Sequence, residues 1–93
     1  MKNKIYTALI ENGYSERSAK LILNDLLQLS APLDAFLVEW IENGTCKDFI
    51  TEGFSIKDFQ DKRSMKYPAA LLTMDWLLKE PQKAKDSLRR GLR

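Results

Sequence analysis

The residue best placed to carry chemistry is Asp75, which lies in the most apolar stretch of the chain. Burial among apolar side chains raises the pKa of a carboxylate, and such groups are common in functional sites. Lys79 follows four residues later, at the spacing where two side chains meet on one helix face. We therefore favour an ion pair on a narrow exposed strip, because no second acid is placed close by to form a catalytic pair.

Two further pairs of carboxylates have helical spacing, Asp48 with Glu52 and Asp58 with Asp61. Two carboxylates alone bind calcium or magnesium poorly, so we interpret both pairs as solvated helix faces and predict no metal site. Cys46, the single cysteine, is placed where a short helix is predicted to begin, a position that favours the thiolate. Without a histidine to act as its base, we interpret Cys46 as a small, inert, partly buried residue. The chain has no histidine, which removes the usual catalytic base and a common zinc ligand. These observations predict a protein that is not an enzyme and binds no cofactor.

Basic residues are concentrated in the second half of the chain, which makes nucleic acid an alternative partner. Residues 1–46 carry four basic and six acidic side chains, a net charge of −2. Residues 47–93 carry eleven basic and seven acidic side chains, a net charge of +4. Cations are also favoured near the C-terminus of any helix by its macrodipole, so a solvated basic face is the simpler interpretation.

The segment 46–63 shares features with a helix-turn-helix, in which a first helix ends at glycine and a second enters the major groove. Phe49, Gly53, Phe54 and Phe59 stand near the spacing of that motif's buried positions. Phe49 is large where the motif has a small residue, and acidic side chains in the unit would repel phosphates, so we favour two ordinary capped helices. In the alternative, the residues that contact nucleic acid are Lys57, Gln60, Lys62 and Arg63, with Lys83, Lys85, Arg89 and Arg90 in the last helix.

Helices must position all of these residues, because apolar side chains recur at helical spacing and no strand is predicted. Glycine, proline and serine or threonine caps separate the predicted helices. Their ranges are 2–12, 16–29, 32–43, a brief helix between Thr45 and Gly53, 56–63, 68–80, and a last helix after Pro81.

The helix predicted over 68–80 is apolar on nearly every face, which is typical of a buried helix. Pro68 suits the first turn of a helix, and Pro81 ends it. We therefore predict an all-α fold, a compact bundle of about six short helices around this central helix. A chain of this length forms one domain, so residues 1–93 are predicted to be a single domain.

The turn Asn12-Gly13-Tyr14 joins the first two predicted helices, and the third predicted helix carries Trp40. This pattern resembles the ubiquitin-associated domain, a three-helix family whose first loop is Met-Gly-Phe or Met-Gly-Tyr. The resemblance covers about 40 residues and implies three helices there. Asn12 stands where the family has methionine, and we assign the chain to no family on this turn.

The remaining features concern location and partners. No stretch approaches the ~20 apolar residues that span a bilayer, no signal-peptide pattern follows the N-terminus, and a single cysteine fits a reducing compartment. We expect a cytoplasmic protein with no membrane partner, and ten lysines against five arginines weakly favour a bacterial or mobile-element source. The many apolar side chains favour a small non-catalytic interaction or regulatory protein that binds a protein partner or a second copy, with no small-molecule substrate.

Overall fold

Six α-helices and one two-stranded hairpin make up the part of the chain described by a computed structural model, residues 2–91. The all-α class and the number of helices are therefore confirmed. By their contacts, the residues divide into two compact units, Met1–Cys46 and Lys47–Arg93, and the single domain over residues 1–93 stays a prediction. In chain order the elements are α1 (Lys2–Glu11), α2 (Glu16–Leu26), α3 (Ala31–Asn43), β1 (Ile50–Thr51), β2 (Phe54–Ser55), α4 (Ile56–Arg63), α5 (Tyr67–Lys79) and α6 (Pro81–Gly91).

The first unit, Met1–Cys46, contains three helices, and α1 packs against both α2 and α3. The buried side chains recur at helical spacing on each helix, as amphipathic helices around a common core require. The core residues are Ile5, Leu9, Ala19, Leu26, Leu33, Leu37 and Trp40.

The turn between α1 and α2 forms as its residue types predict. Gly13 has a left-handed φ of 95°, which glycine adopts without steric cost. The Tyr14 N–H then donates to the Leu9 carbonyl at 3.1 Å, which closes the C-terminus of α1. At the next residue, the Ser15 hydroxyl accepts from the Ser18 N–H at 3.1 Å and caps α2.

The second helix ends earlier than predicted, at Leu26 rather than Leu29. The four residues after Leu26 instead form the turn that leads into α3, which carries proline in its first turn. Gly44 ends α3 with a φ of 70°, and its N–H donates to the Trp40 carbonyl at 2.9 Å. The predicted bounds of this third helix are confirmed to within one residue.

The most buried helix of the second unit, Lys47–Arg93, is α5, on which both α4 and α6 pack. The Tyr67 hydroxyl donates to the Lys47 carbonyl at 2.8 Å and ties the start of α5 to the start of the unit. Ala84 and Leu88 form the buried face of α6. The prediction of a buried helix over 68–80 is confirmed. Its buried residues are Tyr67, Pro68, Ala70, Leu71, Met74, Asp75 and Leu77.

A hairpin stands where a brief helix between Thr45 and Gly53 is predicted, so that prediction is wrong. Strands β1 and β2 pair antiparallel, with Ile50 opposite Ser55. Glu52 and Gly53 connect them with φ values of 53° and 81°, the positive signs of a two-residue type I′ turn. Glycine favours this turn, and the β-branched side chains before it favour a strand over a helix.

Two side chains cap the N-terminus of α4, one from β2 and one from the segment before β1. The Ser55 hydroxyl accepts from the Asp58 N–H at 3.0 Å, as the sequence predicts. An Asp48 carboxylate oxygen accepts from the Lys57 N–H at 3.0 Å and from the Phe49 N–H at 2.9 Å. Asp48 therefore caps a helix that begins eight residues later, rather than the brief helix predicted at its own position.

Candidate functional site

An open groove of about 510 Å³ lies between α1 and α3 in the first unit. Ala8 and Ile41 are partly buried and supply its apolar lining, while the other lining residues are polar and exposed. The lining residues are Asn3, Lys4, Thr7, Ala8, Glu11, Ile41 and Glu42.

The spacing of residues on α1 produces this groove. Ile5 and Leu9 face the core, whereas residues at positions 3, 4, 7, 8 and 11 form a stripe on the other side of the helix. This stripe extends from Asn3 to Glu11, about 12 Å along the helix axis at 1.5 Å per residue. The side chain of Ala8, in the middle of the stripe, is too small to fill the groove, which therefore remains open there.

The groove lining carries two acidic side chains and one basic side chain. Glu11 lies in the last turn of α1, and Glu42 lies in the last turn of α3. Both carboxylates are exposed, and neither forms an ion pair with another residue among 2–91. The last turns of both helices lack basic residues, so the negative ends of two helix dipoles add to the two carboxylates. Lys4 lies two turns away, toward the start of α1.

The polar groups of the groove lining are two carboxylates, one ammonium, one amide and one hydroxyl. Glu11 and Glu42 are exposed carboxylates. Thr7 is the hydroxyl-bearing residue of the lining, and the lining contains no histidine, cysteine or tyrosine that could activate it.

The structure places the first four predicted nucleic-acid contacts on α4, but the first helix of a helix-turn-helix is absent because the hairpin occupies its position. Lys57 is exposed, and Gln60 is partly buried. Lys62 extends its ammonium group to 3.7 Å from a carboxylate oxygen of Asp58, one turn earlier. Of these four, Lys57 alone is both exposed and without an ion pair in the described chain.

Arg63 packs on two aromatic rings instead of facing outward. Its guanidinium carbon lies 5.8 Å from the centroid of Phe54 and 5.4 Å from that of Phe59. The two rings stack with centroids 5.7 Å apart. Such contacts hold a cation against an apolar surface, and the last turn of α4 also favours a positive charge. Arg63 therefore has a structural role, because it holds the C-terminal end of α4 against Phe54 of the hairpin.

Two of the four predicted contacts on α6 are held by carboxylates of the same unit. The Lys85 ammonium lies 2.9 Å from a carboxylate oxygen of Glu52 and is mostly buried, which fastens α6 to the tip of the hairpin. The Lys83 ammonium lies 3.4 Å from Glu80, and both side chains are exposed. Lys85 is therefore unavailable to a phosphate unless this ion pair breaks.

The other two predicted contacts, Arg89 and Arg90, are exposed at the C-terminal end of α6. The Arg90 Nε–H donates to the Asp86 carbonyl at 3.3 Å, one turn earlier. Ala84 and Leu88 face the core of the unit, so the arginines project from the opposite side of the helix.

Asp75 is buried, with 6% of its surface exposed, so the prediction that it lies on an exposed strip is wrong. The predicted ion pair is confirmed, because Asp75 Oδ2 lies 2.7 Å from Lys79 Nζ. The Lys79 side chain is half-exposed and reaches from solvent to the buried carboxylate. Helix α5 thus buries its one acidic side chain, Asp75, in an ion pair with Lys79, whose side chain reaches solvent.

The remaining candidates from the sequence are separate from one another. The interpretation of Asp48 and Glu52 as a helix face is wrong, because Asp48 caps α4 and Glu52 pairs with Lys85. Cys46 is exposed in the irregular segment after α3 and not at a helix N-terminus. Within residues 2–91, no three histidine, cysteine, aspartate or glutamate side chains are grouped to hold a metal ion.

The groove residues are absent from the sequence-based candidates. Lys4, Ala8 and Glu11 do show helical spacing, but that stripe is mostly polar and resembles an ordinary exposed face. Ile41 and Glu42 stand thirty or more residues away, and nothing in the sequence indicates that they meet α1.

Every described helix is too short or too polar to cross a bilayer. No family model, curated protein or solved structure matches the chain.

Proposed function

We propose that this protein is a non-catalytic, protein-binding protein that acts inside the cell, and that the groove between α1 and α3 is its binding surface. The observation that carries the proposal is the groove itself, a concave surface of about 510 Å³ with an apolar centre and charged ends. Volumes of roughly 300–1,000 Å³ are typical of ligand sites.

The shape of the groove favours a polypeptide over a compact small molecule. It is open to solvent and follows α1 for about 12 Å, which matches roughly two turns of a helix laid alongside it. Ala8 and Ile41 offer apolar contact in the middle, and Lys4 at one end and Glu11 at the other offer directional charge. This is the arrangement by which a groove recognises an amphipathic helix.

The nucleic-acid alternative has less support. The ion pair with Glu52 engages the mostly buried Lys85, and Arg63 packs on aromatic rings, which removes two of its eight proposed contacts from a free basic surface. Titration with a random-sequence DNA duplex at low salt separates the two proposals. Nonspecific DNA binding is strongest there and falls steeply as salt rises.

Site-specific photo-crosslinking in the native cell tests the proposed groove. We expect a diazirine-bearing amino acid at Thr7, in the middle of the groove, to give covalent protein adducts on illumination. The same amino acid at Asn24, an exposed position of α2 outside the groove, is the matched control and should give none. Equal adducts from both positions, or none from Thr7, would contradict the proposal.

A further inference from the structure

We propose that the groove between α1 and α3 receives the C-terminal part of α6 from a second copy of the chain, through Arg89 and Arg90. The inference rests on the proposed function, since it takes the groove to be a protein-binding surface and names the occupant. It follows from three properties of the described residues: the two carboxylates of the groove, the apolar lining beside them, and the order of charges along α6.

The two carboxylates of the groove call for a cation. Glu11 and Glu42 have no ion-pair partner among residues 2–91, and each lies in the last turn of a helix that has no basic residue there. Surfaces that bind one another usually have complementary potentials, so the part of the partner beside these carboxylates is positively charged.

The apolar lining selects arginine as the cation. Ala8 and Ile41 lie in the groove together with the two carboxylates. An arginine side chain covers apolar surface with its methylene stem and binds a carboxylate with its planar head, often through two parallel hydrogen bonds. A lysine provides a point charge without this planar fork.

One alignment of α6 with α1 brings opposite charges together. In the direction of the chain, α1 has Lys4 and, two turns later, Glu11. In the same direction, α6 has Lys83 and Lys85, which pair with Glu80 and Glu52, then Asp86, and then Arg89 and Arg90 one turn after Asp86. A parallel alignment with Asp86 beside Lys4 therefore brings the two arginines toward Glu11, and the length of an arginine side chain makes up the difference in spacing.

The outer face of α6 is accessible for this contact. Ala84 and Leu88 hold the helix within its own unit, while Asp86, Arg89 and Arg90 are exposed. Docking thus needs no unfolding of the second unit. The units also have opposite net charges, −2 for residues 1–46 and +4 for residues 47–93, which favours encounter between the first unit of one copy and the second unit of another.

The expected association is weak. A groove of this size buries less than the ~1,200–2,000 Å² typical of stable protein interfaces, and exposed ion pairs contribute little each. The contact joins two different surfaces, so it closes into a dimer or extends into a longer oligomer. Light scattering on the full chain should show a mean mass that rises above the monomer as concentration approaches about 1 mM.

Two charge-reversal variants test the residues. One carries Glu11→Lys with Glu42→Lys, and the other carries Arg89→Glu with Arg90→Glu. Each variant alone places like charges at the contact, and its self-association should weaken at least about tenfold. An equimolar mixture should associate as the wild type does, because each groove then meets an α6 of opposite charge.

A matched control separates a local contact from an effect of net charge. Asp25→Lys with Asp34→Lys changes exposed carboxylates of the same unit outside the groove and shifts the net charge by the same amount. This variant should associate at least as well as the wild type. Circular dichroism on every variant confirms that helix content is retained, so that loss of association is not loss of folding.

Failure of the inference is distinct from failure of the proposed function. A wild type that stays monomeric up to about 1 mM, or a mixture that fails to associate, would overturn docking by α6. If Thr7 then still crosslinks to another protein in the cell while Asn24 does not, the groove remains a binding surface with a different occupant. Without adducts at Thr7, both proposals fail.

Discussion

At the residue scale, the most informative side chain is Asp75, because its surroundings differ from those that its sequence neighbours suggest. Helical spacing correctly predicts its partner Lys79, since residues four apart always meet on a helix surface. Spacing does not predict burial, which depends on the elements packed around α5. In the structure, the Asp75 side chain is buried and the Lys79 side chain is half-exposed.

This asymmetry predicts unequal effects of removing either partner. Lys79→Met leaves a buried carboxylate without its cation and should lower the free energy of unfolding by about 1–3 kcal/mol. Asp75→Asn leaves a half-exposed ammonium that water solvates, so it should cost about 1 kcal/mol or less. Urea denaturation of the two variants measures the difference. A larger loss for Asp75→Asn would show that groups other than Lys79 hold the carboxylate.

At the scale of elements, the helices are largely predictable and the hairpin is not. Caps and apolar spacing act within a few residues, so Gly13, Ser15 and Gly44 bound their helices as predicted. Strands of two residues are too short to show alternation, and the turn contains Glu52 before Gly53 where Asn or Asp is usual. The hairpin is fixed by contacts that span more of the chain.

One such contact provides a test of the hairpin's role. Asp48→Ala removes the carboxylate that accepts from the Lys57 and Phe49 N–H groups, and it should lower the free energy of unfolding by about 1 kcal/mol. Asp61→Ala is the control, since it removes an exposed carboxylate from α4 itself. Thermal denaturation followed by circular dichroism compares them. Equal melting temperatures would show that Asp48 does not cap α4 in solution.

At the scale of the whole molecule, the two compact units carry opposite net charges. The net charge is −2 for residues 1–46 and +4 for residues 47–93, and the excess of cations lies in residues 62–93. The sequence shows this difference in charge, but it does not indicate the groove. Ala8 and Ile41 meet only because α1 packs against α3, and no local pattern encodes a contact over that separation.

The central claim is that the groove of one copy binds α6 of another, and an isotope-labelled crosslink tests it most directly. Unlabelled chain with a diazirine-bearing amino acid at Thr7 is mixed with uniformly ¹⁵N-labelled chain, illuminated, digested and analysed by mass spectrometry. We predict crosslinked peptides that pair an unlabelled α1 segment with a labelled segment from Pro81–Gly91. Mixed-isotope crosslinks that map only outside α6, or their complete absence, would contradict the claim.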